Sequence, residues 1–183
     1  MAAGGRAVQL RKTLSFVLRH QPWSIGLVLD EQGWVEIDEL LAWAHASGRR
    51  ITHAELLEVV ASSDKQRFTV SSDGRRIRAA QGHSVPVDLA LAPQVPPAVL
   101  YHGTASRLVA AIMAQGLRAQ ARRQVHLCTD IDTARRVGAR HGLPVVLVID
   151  AARMHAAGHV FFVADNGVWL TDRIAPGYLS RLP

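Results

Sequence analysis

The sequence is short of several groups on which enzyme chemistry often rests. It carries one cysteine, Cys128, which rules out an intramolecular disulfide and any metal site built from clustered thiolates and fits a reducing compartment. Lysine occurs only at Lys12 and Lys65, so the net charge of +6 rests on arginine. Guanidinium offers phosphate two parallel hydrogen bonds where an ammonium offers a point charge, so this balance points to a polyanion as partner. Solubility alone would also be served by it. No apolar run approaches the roughly 18 residues that a bilayer span requires, and the opening MAAGGRAVQLRKT lacks the apolar core of a secretion signal, so a cytoplasmic protein without a membrane partner is expected. GxxxxGK[ST], GxGxxG after a strand, HExxH and GxSxG are all missing. His102 and His126 have no second ligand at a metal spacing, and no metal is expected.

What is present begins with LSFVLRHQPWSIGL, residues 14–27. Leu10, Leu14, Val17 and Leu18 fall at i, i+4, i+7 and i+8, one face of an amphipathic helix. At about 100° per residue, Arg19 lies nearly opposite that face and His20 on its flank, while Pro22 ends the helix soon after. The pair is expected to be presented rather than buried. A cation at a helix C-terminus also offsets the macrodipole, so alone the pair carries no function.

The remainder of the first half reads as two further helices and a hairpin. GWVEIDELLAWAHASG predicts an extended piece, then a helix with Asp38 as N-cap, Leu40, Leu41 and Ala44 at helical spacing, and Gly48 as its stop. THAELLEVVASS opens on Thr52 and Glu55 as a capping box. RFTVSSDGRRIRAAQG alternates about a Ser-Ser-Asp-Gly turn, so Phe68 and Val70 share one strand face and Arg76 and Arg78 project together from the partner strand. Helices followed by a hairpin suggest a winged-helix module over residues 1–85, a fold that does not by itself establish nucleic-acid binding. Pro86, Pro93, Pro96 and Pro97 mark residues 86–98 as a proline-rich linker. Over residues 99–183, strands are predicted in AVLYHG, QVHLC, PVVLVID, HVFFVAD and GVWLTD, the last two joined by Asp165-Asn166-Gly167. Helices are predicted in TASRLVAAIMAQG, with Leu108, Val109, Ile112 and Met113 inward and Gly116 at its end, and in DTARRVGARHG. The class is α+β.

Three stretches carry candidate chemistry. YHGT places His102 and Gly103 where a strand gives way to a helix, and free amides there can approach a phosphate or a carboxamide. RRQVHL sets Arg122 and Arg123 ahead of a strand bearing His126, and IRAAQGHS sets Arg78 and His83 around a glycine turn. Singly these are ordinary satisfied histidines and solvated arginines. Together they supply cations and imidazoles with almost no carboxylate nearby. Cys128, on an apolar strand, reads as inert packing.

Taken in order, LSFVLRH, GW, SSDGRRIRAAQGHS, YHGT, VHL, GARHGLPVVL and NGVWLT span nearly the whole chain and resemble the NAD-dependent RNA 2′-phosphotransferase family. The resemblance implies a winged-helix lobe followed by an ADP-ribosyltransferase-like lobe with a mixed β-sheet. It implies an enzyme of tRNA splicing or RNA repair, taking RNA with an internal 2′-phosphate and NAD+ as co-substrate, with no metal, and a monomer is expected. The products would be 2′-hydroxyl RNA, nicotinamide and ADP-ribose 1″,2″-cyclic phosphate, formed through an ADP-ribosylated RNA 2′-phosphate. By motif, the family's essential set falls on Arg19, His20, Arg78 and an arginine before VHL, either Arg122, which is favoured, or Arg123. Its NAD contacts fall on His102, Gly103, Thr104 and His126. Val168 stands where many protein-modifying ADP-ribosyltransferases keep a glutamate, which argues against protein modification. Two alternatives stay open: ADP-ribosylation of terminal RNA or DNA phosphates, and a non-catalytic nucleic-acid-binding protein.

Overall fold

The amphipathic face of the first segment seeds the first half of the molecule. The computed structural model describes residues 2–62 and 66–182, and its backbone divides between Ala90 and Leu91 into two compact units. In the first unit, α1 (Ala2–Arg19) buries Leu14, Val17 and Leu18 in a core shared with Ile37, Leu40, Leu56, Phe68 and Ile77. A 3₁₀ turn (Pro22–Ile25) follows, closed by Gly26. Then come β1 (Val35–Glu36), α2 (Ile37–Ala46), α3 (His53–Ala61), β2 (Phe68–Val70) and β3 (Arg76–Ala79). The strands form one antiparallel sheet in the order β1-β3-β2, with Phe68 opposite Ala79 and Val35 opposite Ile77.

Local chemistry explains most of these boundaries. The capping box at α3 is formed: Glu55 N–H donates to Thr52 Oγ1, and Thr52 N–H donates to Glu55 Oε2 at 2.8 Å. The α2 start differs from expectation, because Glu36 rather than Asp38 is the N-cap and the helix begins at Ile37. Ile37 N–H donates to Arg75 O at 2.8 Å, so the sheet already satisfies an orphan donor of the helix end and no side-chain cap is needed. Asp38 and Glu39 occupy the first turn instead, where they complement the macrodipole.

The second unit is strand-rich. It comprises β4 (Val99–Ala105), α4 (Ser106–Gln115), β5 (Leu117–Arg118), β6 (Val125–Leu127), α5 (Ile131–Gly138), β7 (Pro144–Asp150), α6 (Ala151–Ala156), β8 (Phe162–Val163), β9 (Trp169–Thr171), β10 (Arg173–Ile174) and β11 (Leu179–Arg181). They pair as β11-β7-β4, β6-β9-β8 and β10-β5. Every described pairing is antiparallel, so the expected mixed sheet is replaced by several small antiparallel ones. β7 returns antiparallel to β4, with Tyr101 opposite Val148. The hairpin at Asp165-Asn166-Gly167 does join β8 to β9, with Phe162 opposite Leu170. Leu108 is 43% exposed rather than inward, because α4 packs on the core through Ile112 and Met113.

The proline-rich segment is held at both of its ends. In the first unit Val87 is buried and Asp88 N–H donates to Glu31 O. In the second, Pro93 bridges to Phe162 and Gln94 N–H donates to Phe161 O. Among the described residues no helix is long and apolar enough to cross a membrane.

Candidate active site

In the first unit the end of α1 is tied to the segment that follows the hairpin. Ser84 N–H donates to the Arg19 carbonyl at 2.9 Å, satisfying a C-terminal acceptor of the helix, and Ser84 Oγ lies 2.9 Å from His20 Nδ1. The His20 ring is thereby oriented from a residue 64 positions away. Arg19 and His20 are half-buried rather than fully presented. The Arg19 guanidinium reaches back along the sheet, where its Nη2 donates to the Arg67 carbonyl at 3.2 Å. That carbonyl also accepts from Ala80 N–H, which fixes Arg67 immediately before β2 and beside the pair.

Arg78 occupies different surroundings. It and Arg76 share a strand face, as the alternation predicts, and both stack on Trp34, with guanidinium carbons 4.6 Å and 5.4 Å from the ring centre. Arg78 is 8% exposed and donates from Nη1 to Leu89 O. Trp34 is set by a tight turn in which Asp30 Oδ1 accepts from Gln32 and Trp34 N–H and Gly33 adopts φ +82°, a conformation that glycine takes at little cost. The GW motif therefore builds the floor under Arg78. The family resemblance puts the third essential arginine at Arg78, and Arg67 is a second candidate that the motifs do not mark. No hydrogen bond or ion pair engages the half-buried Arg67 side chain among the described residues, so its guanidinium is uncommitted. The available signal is position: Arg67 directly precedes β2, whose partner β3 leads on to Ser84.

In the second unit three of the predicted residues form a chain of contacts. His102 on β4 is held by its Nδ1–H, which donates to the His126 carbonyl at 2.9 Å. His126 Nδ1 lies 2.6 Å from Arg122 Nη1. Because guanidinium only donates, His126 must accept at Nδ1 and carry its proton on Nε2. Burial pushes the His102 imidazole below its usual range, outweighing the hydrogen bond to His126, and nearby Arg122 and His141 push the same way. Arg122 is likewise lowered, first by partial burial of its guanidinium and then by Arg140. Arg122 and Arg140 are the guanidinium groups acting here, a pairing that fits an anionic ligand. Arg123, next in the chain and exposed like Arg122, makes no such contact among the described residues.

Gly103 and Thr104 lie inside β4, opposite Val146 and Val145, because the strand runs on to Ala105 instead of ending at YHG. The glycine is required by packing: a Cβ there would stand 1.7 Å from the Ala134 carbonyl oxygen of α5. Burial raises the Cys128 thiol above its ordinary value, consistent with an unreactive side chain. Among the described residues no cluster of three or more metal-ligating side chains occurs.

Comparison with known proteins adds what geometry alone does not. Residues 5–173 match the sequence profile of the RNA 2'-phosphotransferase, Tpt1 / KptA family. The chain belongs to this family. Relatives named probable RNA 2'-phosphotransferase occur in Agrobacterium fabrum (59% identity over 92% of this chain and 91% of the relative) and Streptomyces coelicolor (57% over 97% and 96%). A third, in Pseudomonas aeruginosa, is 56% identical over 93% of this chain and 94% of its own length. The family name describes a transferase that acts on RNA, and the guanidinium groups and imidazoles of both units are side chains suited to handling a phosphate.

Proposed function

We propose that this protein transfers an internal RNA 2′-phosphate to NAD+, leaving a 2′-hydroxyl on the RNA and releasing nicotinamide and ADP-ribose 1″,2″-cyclic phosphate. We read the first unit as a winged-helix lobe, on three helices and a three-stranded antiparallel sheet, and the second as an ADP-ribosyltransferase-like lobe. The observation that carries the reaction is the chain of contacts Arg122–His126–His102, which gathers a guanidinium and two imidazoles. They suit phosphoryl groups, and a phosphate monoester is already an anionic nucleophile, so its attack on the ribose carbon bearing nicotinamide needs no general base. The C–N bond to nicotinamide breaks as the new C–O bond forms.

In the second transfer the ribose 2″-oxygen attacks phosphorus, the bond to the RNA 2′-oxygen breaks, and a proton passes from the former to the latter. Charge develops on phosphoryl oxygens, where oriented guanidinium donors act most strongly. Arg19 and Arg122 bind the phosphate, and His20, steadied by Ser84, assists the proton transfer. His102, Gly103, Thr104 and His126 serve NAD+, with Arg122 holding His126 as an Nε2–H donor. For the third arginine two residues compete. Arg78 follows from the family resemblance, whereas what supports Arg67 is its place in the chain, with its backbone carbonyl accepting from Arg19 Nη2, while the Arg78 guanidinium is occupied by Trp34 and Leu89.

The test is turnover of an oligonucleotide bearing one internal 2′-phosphate in the presence of NAD+. Arg19→Ala and Arg122→Ala should each lower turnover by about 100-fold or more, the usual cost of removing a transition-state donor. Arg123→Ala should leave it within about threefold. Equal loss from Arg122→Ala and Arg123→Ala would remove the argument from the His126 contact.

A further inference from the structure

We propose that Trp23 is a stacking platform for the nucleobase next to the 2′-phosphorylated nucleotide, an inference that rests on the RNA reading above. Trp23 is 65% exposed, whereas Trp34, Trp43 and Trp169 are each partly buried. Its backbone is not loose. Ser24 directs both its N–H and its hydroxyl to Gln21 O, Gly26 N–H donates to Trp23 O, and Leu27 N–H donates to Pro22 O. Pro22 and Leu27 are buried on either side of the turn, so a rigid, anchored loop holds an indole in water.

Its place in the chain gives that exposure a purpose. Trp23 follows His20 by three residues, which limits the distance between their Cα atoms to about 10 Å. One helical turn before His20, Phe16 is 46% exposed, and its ring centre lies 6.4 Å from that of His20 at an angle of 54°. The half-buried Arg19–His20 pair is thus flanked by an exposed aromatic ring on each side in sequence. Cations for the backbone together with aromatic faces for the bases form the combination that grips single-stranded nucleic acid. Val28, 82% exposed nearby, offers no π-face and does not share this role.

The experiment measures binding without NAD+, by fluorescence anisotropy of a labelled pentanucleotide carrying a central 2′-phosphate, and compares it with the same ligand made abasic at the two flanking nucleotides. For the base-bearing ligand, Trp23→Ala should raise Kd about tenfold, the size of one base–aromatic stack, and Trp23→Phe should restore it to within about threefold. The abasic ligand should bind unaltered protein and Trp23→Ala equally. An unchanged Kd, an equal loss for both ligands, or a loss confined to KM for NAD+ in the full reaction would each overturn the proposal. A tenfold, base-dependent loss in a protein that shows no NAD+-dependent turnover would support the platform while overturning the proposed reaction.

Discussion

Arg67 and Arg78 are both arginines of one hairpin, yet burial and partners separate what their removal should do. Arg78 lies over Trp34 and donates to the Leu89 carbonyl, so Arg78→Ala leaves a cavity and an unpaired acceptor. It should cost about 1–3 kcal/mol of stability, read from urea unfolding, with Arg78→Lys failing to restore it because an ammonium cannot stack as a flat guanidinium does. Arg67→Ala should leave unfolding within about 0.5 kcal/mol and lower turnover by about 100-fold. The reverse pattern would return the third position to Arg78. The sequence motifs single out Arg78 and carry no sign of Arg67. The contact that distinguishes Arg67 joins residues 48 apart, and the ring that occupies Arg78 sits on a separate turn.

His102 gives a pH dependence of definite sign. Burial holds its folded-state value below the usual histidine range, so the unfolded chain binds its proton first as pH falls. Its contribution to stability is fully present above about pH 6.5, the ordinary imidazole value, and is lost as pH falls from there toward the lowered folded value. Urea midpoints measured from pH 7.5 down to pH 5 should therefore decline, and His102→Gln should flatten the decline. A His102 ring titrating at or above the ordinary value by NMR would contradict the assignment.

Among the elements, those governed by local chemistry were legible and those governed by distant partners were not. The apolar spacing of α1 and the reciprocal bonds of Thr52 and Glu55 are written within a few residues, and both form as read. Thr52→Ala should cost about 1 kcal/mol. In contrast β5, β10 and β11 are two or three residues long, and β5 and β10 exist only because each pairs with the other across the second unit. No periodicity can develop over so short a length. Likewise Asp38 is a good cap by type, but the Arg75 carbonyl, reached only when β3 pairs with β1, moves the helix start ahead of it. Gly103 belongs at this scale too, because its lack of a side chain admits α5 against β4, a packing demand that the YHGT motif does not display. Gly103→Ala should destabilise the protein by about 3 kcal/mol or more. A smaller effect would mean that the helix can retreat without loss.

At the scale of the whole molecule, the family membership, the arginine-borne charge and the imidazoles of both units bear on one claim: an RNA phosphate leaves the RNA by way of NAD+. The direct measurement follows the phosphorus atom. An oligonucleotide with a single 32P-labelled internal 2′-phosphate is incubated with the protein and NAD+, and the label and nicotinamide are quantified together. All of the label released from the RNA should appear in ADP-ribose 1″,2″-cyclic phosphate, with one nicotinamide formed for each phosphate transferred and no release when NAD+ is omitted. Label recovered as inorganic phosphate, or released without NAD+, would contradict the account.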